Sequence, residues 1–133
     1  MNKKSTLFYN LITVVILVTV ILLFETVSVF PWWGFVIPVI IVGMVITKLK
    51  WQVKSFTIGF LSGFLIWFGA SFYFDSVFNG IVMSKVGSLL SINKIVVMIL
   101  SGLVGGLVMG LALYTGKSIT QSTIISELEE FVV

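Results

Sequence analysis

Residues Ser55 to Phe74 read SFTIGFLSGFLIWFGASFYF, a stretch of twenty residues that carries no charged side chain. Its length suits one crossing of a bilayer, which needs roughly 20 residues. At roughly 100° per helical residue, its phenylalanines gather on one half of a helix and its small residues on the other. Small residues let a second helix approach closely. We therefore predict a membrane helix that packs through Ser55, Gly59, Ser62, Gly63 and Gly69.

The composition predicts an integral membrane protein. Hydrophobic residues make up 59% of the 133 residues and charged residues only 10%, whereas soluble domains are roughly 45–50% apolar and about 25% charged. The mean hydropathy is +1.22. Cysteine and histidine are absent, which removes disulfides, imidazole metal ligands and the commonest general base. We expect one transmembrane domain over residues 1–133.

Four apolar segments predict an all-α bundle of four transmembrane helices. No small-residue cleavage site follows the first segment, so we interpret it as an uncleaved span. Pro38 lies inside the second segment and is expected to kink it. The link 48–54 is short, so the second and third spans should be antiparallel neighbours. The predicted spans are residues 7–24, 31–47, 55–73 and 95–114.

Two further segments have the periodicity of amphipathic helices. In residues 80–91, apolar side chains share one face and serines the other, which predicts a short helix in the outer membrane interface. A re-entrant pore loop is the alternative. Residues 117–133 form an acidic tail with an apolar stripe, and glutamates are repelled by the anionic cytoplasmic leaflet. We therefore expect the stripe to pack against protein, either its own bundle or a partner. The alternative is a loosely ordered terminus. Its candidate partner-binding residues are Ile124, Ile125, Leu128 and Phe131.

The distribution of lysines predicts the orientation. With four spans, six of the eight lysines fall on one side and two on the other, and the chain has no arginine. Because Lys and Arg are enriched in cytoplasmic loops, we expect a multi-pass protein of the cytoplasmic or inner membrane with both termini in the cytoplasm. The six are Lys3, Lys4, Lys48, Lys50, Lys54 and Lys117, and the two are Lys85 and Lys94.

The fourth span carries a glycine zipper, Gly102-x-x-x-Gly106-x-x-x-Gly110, with Gly105 beside it. Glycines four apart allow close backbone contact in lipid, where helices gain little by hiding apolar surface from one another. We expect a close crossing of the third and fourth spans or a homo-oligomer made through one of these faces. The alternative is a permeation path, for which the pore candidates are Ser62, Phe64, Phe68 and Ser101.

Chemically active side chains are missing from the predicted span interiors. No Asp, Glu, Lys, Arg or His lies there, and such residues usually mark proton relays and coupled transport. Glu25 and Asp75 fall at the outer ends of spans, where Asp75 can pair with Lys85 or Lys94. A serine nucleophile would lack a base, and topology explains the lysines. We therefore expect no enzymatic activity, no cofactor, no metal site and no nucleic-acid partner.

Two families share limited features with this chain. Residues Gly59 to Phe72, GFLSGFLIWFGASF, resemble the Gly- and Phe-rich third span of dimeric fluoride channels over fourteen residues, without that family's Thr-Thr-Phe-Ser core. This resemblance implies an oligomeric channel. Four spans in a short chain also resemble small multidrug transporters. Their mechanism depends on a carboxylate in the first span, where this chain has only Thr13 and Thr19 in the middle.

The sequence as a whole favours a non-enzymatic accessory, scaffold or assembly subunit that acts through helix association. We expect it to contact the lipid bilayer and to form a homo-oligomer or bind a membrane-protein partner. The alternative is a small oligomeric channel or facilitator for an uncharged solute or small ion, because a pore can select by diameter and dipoles without buried charge.

Overall fold

The computed structural model describes residues 3–26, 31, 33–51 and 53–132. In this part of the chain the regular structure is entirely α-helical, so the predicted all-α class is confirmed. The five helices, in chain order, are α1 (Lys3–Glu25), α2 (Val36–Lys48), α3 (Ser55–Val77), α4 (Ile81–Leu90) and α5 (Lys94–Val132).

Three of these helices, α1, α3 and α5, are long and apolar enough to cross a membrane. Helices α1 and α3 contain the predicted spans 7–24 and 55–73 and extend a few residues beyond them. The chain therefore has the helices of a membrane protein, as its composition predicts.

The predicted second span, 31–47, matches its helix only in part. Helix α2 has 13 residues, whereas a crossing helix needs roughly 20. Before it the chain makes tight turns, in which the N–H of Gly34 donates to the Pro31 carbonyl at 2.7 Å and the N–H of Val36 to the Trp33 carbonyl at 3.1 Å. Bonds to the third residue back are of the 3₁₀ type and tighten the chain ahead of α2. Residue 32 lies outside the described residues.

Pro38 is the third residue of α2 and not an interior residue of a longer helix. The first N–H groups of a helix have no partner within it, so a proline there costs no hydrogen bond. The expectation that Pro38 kinks a span is therefore wrong, because the helix starts only two residues earlier.

Helix α5 joins two segments that the sequence separates. Its 39 residues run from Lys94 to Val132, so the predicted span 95–114 and the predicted tail 117–133 form one helix up to residue 132. Two local features are compatible with this continuity: the stretch contains no proline, and the Thr120 hydroxyl donates to the Gly116 carbonyl at 3.2 Å. At about 1.5 Å per residue, α5 is ~58 Å long, which exceeds the roughly 30 Å hydrocarbon thickness of a bilayer.

The antiparallel contact between α3 and α5 is the centre of the fold. Phenylalanines spaced four residues apart on α3 lie against glycines spaced four residues apart on α5. Because the two helices are antiparallel, the glycines come in the reverse order along the chain. The glycine face of α5 therefore lies against α3 of the same chain. The facing pairs are Phe56 with Gly110, Phe60 with Gly106 and Phe64 with Gly102.

The two backbones touch directly where α3 also has glycine. A Cβ added at Gly59 would lie 2.8 Å from the Met109 carbonyl oxygen, and one at Gly63 would lie 2.6 Å from the Gly105 carbonyl oxygen. No side chain fits at such distances. Close backbone approach maximises dispersion contact, which is the main attraction between helices in lipid.

Helix α2 packs along the other side of α5 through a second pair of glycines. A Cβ added at Gly43 would lie 2.6 Å from the Leu113 carbonyl oxygen, and one at Gly116 would overlap the Ile40 carbonyl. The sequence predicts neither glycine as a packing residue. Helix α1 completes the bundle by burying Leu17, which joins the core formed around Val39, Met109 and Leu113.

Helix α4 lies where residues 80–91 predict a short helix. It is bounded by two residues in the left-handed conformation, Gly80 at φ 76° and Ser91 at φ 55°. Gly87 is its buried residue, and a Cβ there would lie 2.7 Å from the Ile92 carbonyl oxygen. This contact packs α4 against the turn that leads into α5.

Gly63→Ala should lower the free energy of unfolding by about 1–3 kcal/mol, because overpacking at a backbone contact forces helices apart. Gly69→Ala is the matched control on the same helix, since a Cβ there would meet no atom within 4 Å; it should leave the free energy of unfolding unchanged or raise it by up to about 1 kcal/mol, because alanine favours a helix more than glycine does. Unfolding in mixed micelles, followed by circular dichroism, measures both. Equal destabilisation by the two substitutions would contradict the assigned contact.

Candidate functional site

The predicted packing residues divide into two groups in the structure. The glycines of the α5 zipper, with Gly59 and Gly63 of α3, lie in the α3–α5 contact. Gly105 lies under the indole of Trp67, which a Cβ at Gly105 would overlap. Ser55 and Ser62 are buried, and the Ser55 hydroxyl faces the Val53 carbonyl at 3.5 Å.

Gly69 does not share this contact. It lines a groove of about 710 Å³ between α1 and α3, which is almost entirely apolar and has Glu25 at one end. The small face of α3 therefore extends beyond its contact with α5. At Gly69, closer to the C-terminal end of α3, this face lies beside α1.

The four pore candidates lie in different surroundings. The rings of Phe64 and Phe68 stack at 5.7 Å with an interplanar angle of 6°, and the Phe64 ring covers Gly102. Ser62 is fully buried, and its hydroxyl has no hydrogen-bond partner within the part of the chain that the structure describes.

Ser101 lies at another level of the bundle. Its hydroxyl accepts a hydrogen bond from Ser71 at 3.1 Å, and it lines an apolar cavity of about 340 Å³ beside Phe35 and Trp67. Ser71 follows Ser62 by nine residues on α3, which corresponds to about 13 Å along the helix. The structure thus separates the two serines that the sequence groups as pore residues.

One ion pair closes the end of the bundle that holds α4. Lys94 donates to Asp75 Oδ2 at 3.0 Å. The sequence allows either Lys85 or Lys94 as the partner of Asp75, and the structure shows Lys94. The Asp75 carbonyl also accepts the N–H of Gly80 at 2.7 Å, and its second carboxylate oxygen is buried with no partner among the described residues. These contacts join the end of α3 to the start of α5.

The opposite end of the bundle, which we call the lysine-rich end, collects basic side chains around a hollow. The hollow has a volume of about 440 Å³, and Lys50, Lys54 and Lys117 line it together with Thr6 of α1 and Gln121 of α5. The side chains of Lys3 and Lys4 lie outside the described part of the structure. The sequence places these lysines on one side of a membrane, but their convergence on one hollow has no signal in the sequence.

The last three turns of α5 extend beyond the bundle. Every residue from Gln121 to Val132 is exposed. The candidate partner-binding residues keep their shared stripe because the helix is continuous, and their exposure is 41% at Ile124, 57% at Ile125, 61% at Leu128 and 94% at Phe131. The stripe therefore meets no part of the bundle that the structure describes.

Sequence reasoning missed the packing role of Gly43 and Gly116. Each has a weak signal: Gly43 is the single glycine within α2, and Gly116 separates the apolar part of α5 from its polar end. A lone glycine in an apolar helix often marks a close approach. Without the partner helix in view, that signal names no contact.

Comparisons with protein-family models, with curated proteins and with solved structures find no match to this chain.

Ser62→Ala and Ser71→Ala should have opposite effects on stability. Removing the unpaired buried hydroxyl of Ser62 should leave the unfolding free energy unchanged or raise it by about 1 kcal/mol. Removing Ser71, which bonds to Ser101 on α5, should lower it by about 0.5–1.5 kcal/mol. Unfolding in mixed micelles again provides the measurement, and a loss of stability in Ser62→Ala would show that its hydroxyl has a bonding partner.

Proposed function

We propose that this chain is a non-enzymatic integral membrane protein that acts as an accessory or assembly subunit and binds a protein partner through the exposed end of α5. The observation that carries the proposal is that α5 continues as a helix beyond the bundle with an apolar stripe that nothing in the described chain covers. An apolar stripe at helical spacing is the surface by which amphipathic helices enter the grooves of partner proteins.

The charges beside the stripe indicate the chemistry of the partner. At about 100° per residue, Glu127 and Glu129 lie on the two sides of the stripe and Glu130 lies opposite it, so a complementary groove would be apolar with a basic rim. An anionic membrane surface would repel this helix. A protein groove is therefore a better occupant than lipid.

Four membrane crossings form part of the proposal, although α2 is short. Thr6 of α1 and Ser55 of α3 line the same hollow, whereas Glu25 and Tyr73 line the groove near the other ends of these helices. Helices α1 and α3 therefore run in the same direction. If both cross the membrane, the chain between them must return, which supports residues 31–47 as the second crossing.

The same arrangement supports the proposed orientation. The lysine-rich end would face the cytoplasm, because Lys is enriched there, and both α1 and α5 have one terminus at that end. Helix α4 would then lie at the outer surface, beside the Asp75–Lys94 pair. The exposed end of α5 would project into the cytoplasm, where soluble and membrane-bound partners can reach it.

An oligomeric channel has less support than an accessory role. The glycine faces that would assemble subunits around a pore are occupied by α3, α5 and α2 of one chain. The buried position of Ser62 and the pairing of Ser71 with Ser101 suit packing between helices.

Photo-crosslinking in intact cells tests the proposal. A benzophenone amino acid at Phe131 replaces one exposed ring by another and should yield a covalent adduct, whose mass separates a second copy of this chain from a different protein. Leu128→Glu in the same background should reduce the adduct by about tenfold or more, since burying a charge in an apolar contact costs over 1.4 kcal/mol.

Ser126→Glu is the matched control, because it adds the same charge on the opposite side of the helix from the stripe. It should leave the adduct unchanged. The proposal fails if Phe131 forms no adduct, or if the two glutamate substitutions reduce it equally.

A further inference from the structure

We propose that the hollow at the lysine-rich end is a binding site for a phosphate group, supplied by the headgroup of an anionic lipid. This inference goes beyond the accessory role and does not depend on what the exposed end of α5 binds. It concerns the cavity lined by three lysines, which neither the packing of the helices nor the docking stripe explains.

The lysines reach the hollow from three separate segments. Lys50 belongs to the link after α2, Lys54 immediately precedes α3, and Lys117 lies in α5. The hollow is about 440 Å³ in volume and has further hydrogen-bonding groups at Thr6, Thr47, Ser55 and Gln121. Its lining residues include no carboxylate. Ammonium, hydroxyl and amide donors around one space are the groups that bind phosphate oxygens.

The positive charges of the hollow are not neutralised within the described chain. Its ion pair, Asp75 with Lys94, lies at the other end of the bundle. A bound anion would gain the attraction of these unpaired lysines. The first turn of α3 opens on the same hollow at Ser55, and the free N–H groups of a helix start add to the attraction for an anion.

The link that carries Lys50 has a defined shape. Lys50 adopts φ 55°, a left-handed conformation that is unfavourable for a residue with a side chain. Its N–H donates to the Thr47 carbonyl at 3.0 Å, and the N–H of Trp51 donates to the Ile46 carbonyl at 3.2 Å. Together these bonds form a left-handed cap at the end of α2, which fixes the direction in which the chain leaves the helix at Lys50.

Aromatic and apolar contacts hold the link against the bundle. The Trp51 ring packs on Tyr9 of α1 with 5.0 Å between centroids, and Val53 is buried with 4% exposure. The hollow therefore exists before a ligand arrives. A preformed site binds more tightly than one that must be ordered by its ligand.

Lipid is the favoured source of the phosphate because of where the hollow lies. Trp51 borders it, and tryptophan is typical of the membrane–water interface. Leu7 and Leu49 directly adjoin the lining residues Thr6 and Lys50 in sequence. Their apolar side chains are 61% and 55% exposed and so can contact acyl chains. Basic pockets between membrane helices on the cytoplasmic side bind anionic headgroups in this way.

Native mass spectrometry of the purified full chain tests this site. The protein is incubated with mixed micelles that contain equal amounts of phosphatidylglycerol and phosphatidylcholine, and the ratio of the two bound lipids is measured. We expect a severalfold preference for phosphatidylglycerol. The triple substitution Lys50→Gln, Lys54→Gln and Lys117→Gln should abolish that preference.

Two single substitutions, each of which removes one positive charge, serve as controls for lysines outside the hollow. Lys48→Gln alters the last residue of α2, next to the link, and Lys48 does not line the hollow. Lys85→Gln alters the other end of the bundle. Both should keep the preference. Circular dichroism of every variant checks that it is folded. If the triple variant is not folded, Lys54→Gln and Lys117→Gln are measured singly, and each should reduce the ratio.

Inorganic phosphate distinguishes the two sources of the ligand. If phosphate raises the melting temperature of the wild-type protein but not of the triple variant, and no lipid preference is found, the site binds a soluble phosphate compound. The proposal is overturned if neither probe distinguishes the wild-type protein from the triple variant. It is also overturned if Lys48→Gln and Lys85→Gln reduce the lipid preference as much as the substitutions in the hollow.

Discussion

The direct backbone contact between α3 and α5 is the constraint on which the rest of the structure depends. Carbonyl oxygens of α5 lie so close to Gly59 and Gly63 that no side chain fits between the helices. Without water to drive apolar surfaces together, such contact supplies most of the attraction between membrane helices. It also fixes the positions of the flanking elements, because α2 packs on the far side of α5 and the phenylalanines of α3 cover the edge of the seam. The seam thus joins a single chain, and association with other molecules falls to the surfaces outside it.

The two ends of the bundle differ in a way that follows from this antiparallel pair. At the α4 end, α3 stops and α5 starts, and the ion pair of Asp75 with Lys94 neutralises the charges where the chain turns. At the other end, α3 starts while α5 continues past it. Lysines from α5 and from the link that precedes α3 therefore meet there without acidic partners in the hollow. Asp75 and Lys94 thus neutralise each other at the α4 end, whereas the lysines of the hollow have no acidic partner in its lining.

The sequence predicts those parts of the fold that depend on one helix at a time. Glycine spacing in residues 102–110 and the small face of residues 55–63 predict a close helix contact, either between α3 and α5 or between copies of the chain, and the structure shows the contact between α3 and α5. The prediction fails for Gly69, because average helical angles place it on the same face but do not say where the second helix diverges. It also fails at Pro31, which looks like a helix start, and at residues 115–116, which the predicted spans leave outside a helix. The turns around Gly34 and the packing of Gly116 against α2 depend on contacts distant in sequence, and the same is true of the hollow around Lys50 and Lys117.

The continuity of α5 has a mechanical consequence. One helix begins at the Asp75–Lys94 pair, passes through the glycine seam and ends in the exposed stripe, without a break among its 39 residues. A change in the tilt of α5 within the bundle would therefore displace its exposed C-terminal end. At a rise of about 1.5 Å per residue, a tilt of roughly 10° about Gly110 would move residue 132 by about 6 Å. A small rearrangement between α3 and α5 would thus reach a bound protein as a displacement larger than the one that caused it.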